Sequence, residues 1–175
     1  HPLHHHRDGE RLQGERGREG WRDVLDRWDI EMLMIRYRSR ECSQLFLDSG
    51  YTCVYWDDIA VVALRDDVLR SRPDLADLSL SNPATFKLVL EEQPVEPILR
   101  QVEEKIAVDP ACWTARIQRA RCLMKLAAAD GVPPGRRSQL LGDAFGSARE
   151  AVELRQNEYT WQVVADVAEA MGEED

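Results

Sequence analysis

Tyr51–Arg65, YTCVYWDDIAVVALR, reads as two apolar strands, Tyr51–Trp56 and Ile59–Leu64, joined by the pair Asp57-Asp58. Two turn-forming residues between β-rich runs predict a hairpin. A two-residue loop sets Trp56 opposite Ile59, Val54 opposite Val61 and Thr52 opposite Ala63. The other face then carries Tyr51, Cys53 and Tyr55 against Leu64, Val62 and Ala60. Neither face is polar, so both are expected to be covered, as in central strands.

Upstream, Trp21, Val24, Leu25 and Trp28 fall at helical spacing within Glu19–Asp29, which predicts a helix with both tryptophans in the core. Ile30–Tyr37 has the length and composition of a strand. Ser39 is a candidate N-cap for a helix carrying Cys42, Leu45 and Phe46 and ending near Gly50. Residues 19–65 thus predict a small mixed α/β layer in the order helix, strand, helix, strand, strand, with the hairpin at 51–64. Residues 1–18 are polar and glycine-bearing and predict a flexible arm. Its histidines, His1, His4, His5 and His6, lack the fixed geometry of a metal site, so no metal is expected.

Residues 66–93 are turn-rich and acidic and predict a connecting segment, with a short helix after Asn82-Pro83 that includes Phe86 and Leu90. Residues 94–175 read as helices throughout. Ile98, Leu99, Val102 and Ile106 mark one, stopped by Asp109-Pro110. Residues 111–129 give a second, and Leu140, Leu141, Ala144, Ala148, Ala151 and Val152 mark a third within 136–154. A last helix runs from Tyr159 to Met171. The fold class is therefore α+β, a small α/β layer followed by an all-helical half.

The helical half resembles degenerate tetratricopeptide repeats over residues 94–172. Ala144, Ala148, Ala151 and Gln156 take the spacing of that motif's second helix, with Ala for the usual aromatic at 148 and Gln for proline at 156. EKIAVDP, ending in Pro110, resembles the close of a repeat, with Lys105 where the family has Ala. The interval from Pro110 to Gln156 exceeds the family's repeat of about 34 residues, which implies an insertion near 128–138. Residues 21–65 are similar to the soluble segment that follows the last membrane span of some bacterial polytopic glycosyltransferases. The match rests on Trp28-Asp29-Ile30, Leu45, Val54-Tyr55, Asp57-Asp58, Ala60-Val61-Val62 and Arg65. This resemblance implies the extracytoplasmic, periplasmic face of a membrane, with the cytoplasm as the alternative, and a parent enzyme whose catalytic residues lie in its membrane part.

The 175 residues carry a net charge of −9, distributed as +1 over 1–40, −8 over 41–110 and −2 over 111–175. Such an acidic balance disfavours nucleic acid. No apolar run reaches the ~18 to 20 residues of a membrane span. The chain begins at His1 and not Met, which points to processing, excision from a longer protein, or an internal start. Cys42, Cys53, Cys112 and Cys122 include no CxxC and are expected to be small buried hydrophobes. Cys112 and Cys122, about 15 Å apart along one helix, are too distant to bridge, whereas Cys42 with Cys53 stays open.

Catalytic motifs are missing: no Walker loop, G-x-G-x-x-G, G-x-S-x-G or H-E-x-x-H occurs, and no histidine follows residue 6. Asp57-Asp58 reads as a turn and not as an acid–base pair. No catalytic residue, cofactor or enzymatic activity is expected. The candidate partner-binding residues are Trp113, Arg116 and Arg119, on a helix that also holds Arg121 and Lys125. There they would suit an acidic ligand, or else form ion pairs with neighbouring helices. The expected role is an interaction or scaffold subunit with a protein partner, docking on a membrane protein or membrane-associated assembly. The alternative is a regulatory or acceptor-binding tail of a membrane glycosyltransferase.

Overall fold

A computed structural model describes residues 23–36, 43, 46 and 50–172. The chain is α+β and divides between Thr85 and Phe86 into two units. The segment 66–93 is therefore shared, its first part belonging to the sheet unit and Phe86 onward to the helical unit.

The first unit starts with a short helix over 23–27. Asp29 ends it in the left-handed region at φ 46°, while Asp29 N–H and Ile30 N–H bond the carbonyls of Asp26 and Leu25. These two bonds form a Schellman stop, and Ile30 closes it by packing in the same cluster as Leu25. The early stop corrects the expectation for Trp28. It lies in the turn, off the helical stripe, and is 54% exposed. Trp21, the arm 1–18 and the Ser39 cap lie outside the described residues, as does Cys42.

Strands β1 (Met32–Arg36), β2 (Tyr51–Trp56) and β3 (Ala60–Arg65) form an antiparallel sheet in the order β1-β3-β2. Only β3 is central. The hairpin register differs from the expected one: Tyr51 faces Arg65, Cys53 faces Ala63, Tyr55 faces Val62 and Trp56 faces Val61. Two causes account for the shift. The Asp57 carboxylate accepts Ile59 N–H at 2.7 Å and Ala60 N–H at 2.9 Å, so the turn centres on Asp58-Ile59. A bulge at Val54 then inserts one residue and reverses side-chain parity. Trp56 thereby joins Tyr51 and Cys53 on the inner face and is fully buried, whereas Tyr55 turns outward.

The inner face is covered by Leu25 and Phe46 near Tyr51, whose hydroxyl donates to the Ile30 carbonyl. Burial raises the Tyr51 phenol above its ordinary pKa. At the Trp56 end the cover is the 3₁₀ turn Ser79–Ser81, anchored by Leu78 N–H to Cys53 O at 2.8 Å. The outer face bears Met32, Met34 and Tyr55, each at least half exposed. The expectation that both faces are covered thus holds for one face only among the described residues. Helix α1 (Asp66–Arg70) follows directly from β3, where a connection was expected. Asp66 accepts the Thr52 hydroxyl at 2.7 Å and so ties α1 to the hairpin.

The second unit contains α2 (Phe86–Glu92), α3 (Val95–Val108), α4 (Trp113–Ala127), α5 (Pro134–Leu154) and α6 (Glu158–Gly172). Proline at the start of α5 suits the first turn, where its missing N–H costs no helical bond. Gly131 at φ 77° makes the left-handed turn between α4 and α5. Asn157 and Thr160 cap α6 reciprocally: Thr160 N–H donates to Asn157 Oδ1 at 2.9 Å, and Asn157 N–H to Thr160 Oγ1 at 3.2 Å.

Helix α4 is the centre of this unit, packing on α3, α5 and α6, while α6 packs on α5 and α4. Ala115, Ala120, Ala144, Ala148 and Ala151 have no exposed surface. Small side chains there let helix axes approach toward the lower end of the usual 8–10 Å or so. Ile117, Leu123, Leu140, Leu141, Val163 and Val167 complete the core. No helix among the described residues is long and apolar enough to cross a membrane.

Candidate functional site

Trp113 opens α4 and is 8% exposed, its ring edge-on to Tyr159 of α6 at 6.3 Å and 75°. Arg116 and Arg119 lie one turn apart on the side facing α5. Arg116 pairs with Glu150 and donates to the Pro110 carbonyl at 3.1 Å, while its buried Nε has no hydrogen-bond partner among the described residues. Arg119 reaches two helices, donating to Ser147 Oγ of α5 at 2.5 Å and to Glu103 of α3 at 3.3 Å. The structure brings the two arginines together. Trp113 goes elsewhere, to the α4–α6 seam.

The remaining cations of α4 are also engaged. Arg121 lies 5.1 Å from the Tyr159 ring centre, a cation–π contact. Lys125 donates to the Leu90 carbonyl, and its Nζ lies 3.4 Å from Glu91 O, at the negative end of α2. The basic helix therefore acts as the tie between α2, α3, α5 and α6. An acidic ligand at Arg116 or Arg119 has to displace Glu150 or Glu103, and these pairs retain only 18% and 29% arginine side-chain exposure.

What faces solvent is a different set. Helix α6 buries Thr160, Val163 and Val167 and turns Trp161, 55% exposed, to the opposite side. Ala165 and Ala168 are exposed at i+4 and i+7 from Trp161, which makes one helical stripe. Glu158 and Glu169 run alongside it, and Met171 is 42% exposed at its far end. This stripe was readable from spacing. Its outward direction was not, because α5 and α4 decide which side of α6 is buried.

Asp57, Asp67 and Asp74 are each engaged within the fold. Asp57 is occupied by the turn amides, and the Tyr55 hydroxyl donates to it at 3.3 Å. Arg65 joins Asp67 at 2.6 Å and Asp29 at 2.5 Å. Its hydrogen bond holds Asp67 below the usual carboxylate range, so that acid is ionised and carries no proton to donate near neutrality. Arg72 does the same for Asp74. No cluster of three or more His, Cys, Asp or Glu side chains is gathered as a metal site among the described residues.

Against known proteins, no family profile, no curated sequence and no solved structure matches this chain.

Proposed function

We propose that this chain is a non-enzymatic interaction or scaffold module whose tetratricopeptide-like helical unit binds a protein. The observation that carries the reading is the stack of α3 to α6, which is knit internally yet leaves aromatic and apolar side chains of its last helix in solvent. Support for the repeat-like character comes from the packing order, each helix on the next and α4 also on α6, with buried Ala144, Ala148 and Ala151 at the approach. The similarity of residues 21–65 to extracytoplasmic tails supports a membrane protein or membrane-associated assembly as the partner's class.

The test is site-specific photo-cross-linking in native membranes, with the probe at position 161, at position 169 and, as a control, at position 58. A single membrane protein captured from 161 and 169 and not from 58 is the expected result. A chain that fractionates away from membranes as a monomer, with no cross-link at any position, overturns the proposal.

A further inference from the structure

We infer that the exposed side of α6 docks a basic amphipathic helix of the partner, an inference that rests on the interaction reading above. The first observation is the place of α6 in the stack. Among the described residues α6 packs chiefly on α5 and α4, and Trp161, Ala165 and Ala168 on its other side are exposed. Its closed side carries Thr160, Val163 and Val167, whereas its open side carries small residues at helical spacing. Ala165 and Ala168 permit close approach of another helix backbone, and Trp161 stands beside them as a large anchor. Met171 widens the apolar strip and adapts its shape to what it meets.

The second observation is charge, and it selects the occupant. The last twenty residues, 156–175, hold six acidic groups and no basic one. Glu158 and Glu169 flank the strip from one side, and Asp166, bonded by Gln162 at 2.7 Å, lies beyond them. No cation of α6 answers these carboxylates. A helix with an apolar face bordered by Lys or Arg matches both the strip and its acidic margin. A second copy of this chain brings the same acidic margin to the contact, and like charges oppose each other there.

The experiment titrates the full chain with two synthetic amphipathic helices of identical apolar face, one bordered by Lys and one by Glu. Binding is read from the indole N–H resonance of Trp161, assigned with W161F, and from calorimetry. The Lys helix is expected to bind about tenfold or more tighter than the Glu helix and to weaken as salt rises from about 0.05 M to 0.5 M. Ala168→Glu abolishes the shift, and the double substitution E158Q/E169Q narrows the difference between the two helices. Both sites are exposed, and unchanged helical circular dichroism verifies the fold. Equal binding of the two helices, no binding of either, or binding that survives A168E overturns the inference. So does concentration-dependent dimerisation that W161A abolishes, which assigns the surface to a second copy. A membrane partner still cross-linked by the W161A/A168E chain, from a probe elsewhere on residues 86–172, leaves the interaction reading standing and removes this surface from it.

Discussion

The indole of Trp56 donates a buried 3.1 Å hydrogen bond to the hydroxyl of Ser81. Twenty-five residues separate them, and the contact pins the segment after α1 across the inner face of the sheet. Trp56 has no exposed surface, so its contribution combines large apolar burial with a satisfied N–H. Ser81→Ala is expected to destabilise the first unit by about 1 kcal/mol, the net worth of one such bond. Trp56→Ala removes the ring as well and is expected to cost about 3–5 kcal/mol. Urea unfolding followed by amide signals of Val61 and Ala63 measures both. Equal stability of the Ser81→Ala chain counts against the bond as an anchor.

Asp57 and Asp58 are adjacent in sequence and unequal in role. One Asp57 carboxylate oxygen accepts both Ile59 N–H and Ala60 N–H. Asp57→Ala leaves those amides to water and loosens the register, at an expected cost of about 1 kcal/mol, comparable to losing a cap. Asp57→Asn keeps an acceptor oxygen and recovers most of the loss. Asp58→Ala touches neither amide and is expected to cost less than half as much as Asp57→Ala. Denaturation midpoints of the three variants rank them, and the reverse order for positions 57 and 58 contradicts the turn geometry.

The helices after residue 94 were legible because periodicity at 3.6 residues is a local signal, and Ile98, Val102, Leu140, Leu141 and Ala144 are all buried. The strands were legible as apolar runs, yet their register was not. A bulge at Val54 follows from tertiary demands, namely that Trp56 be covered by Ser81, and nothing in residues 51–64 announces it. Trp28 shows the same limit at a helix end. Asp29 in the left-handed region stops the helix at residue 27, two residues short of the expected end. The cluster of cations on α4 could be seen in the sequence. Their partners could not, because Glu103, Ser147 and Glu150 come from elements far along the chain.

Arg119 is the clearest of these ties, since its guanidinium holds α3 and α5 to α4 at once. Ser147 keeps a bond to the Asp143 carbonyl at 3.1 Å, so removing the arginine leaves no stranded hydroxyl. The ion pair with Glu103 is half exposed on the acidic side and is worth a few tenths of a kcal/mol, about 0.2–1. Adding the bond to Ser147, Arg119→Met is expected to destabilise the helical unit by about 1–2 kcal/mol. Glu103→Gln is expected to lose only the smaller part. If Arg119 instead serves ligand binding alone, Arg119→Met leaves thermal unfolding unchanged, and that outcome separates the two roles.

Cys122 supplies a prediction that depends on pH. Its side chain is fully buried on α4, and burial, reinforced by the charge of Glu103 and opposed by Lys125, pushes its thiol pKa up to about 12. An unfolded thiol ionises near about 8.5. The folded state therefore favours the neutral thiol, and the stability this confers is complete below about 8.5 and declines as pH rises from there toward about 12. A Cys122→Ala chain is expected to lose that part of the alkaline slope while keeping the rest. The same burial protects the sulfur from reagents that need the thiolate. In a Cys42→Ser background, where Cys53, Cys112 and Cys122 are all buried, a thiol reagent at about pH 8 is expected to label the chain only as it unfolds. Rapid stoichiometric labelling of the native chain at Cys122 contradicts the packing of α3 on α4.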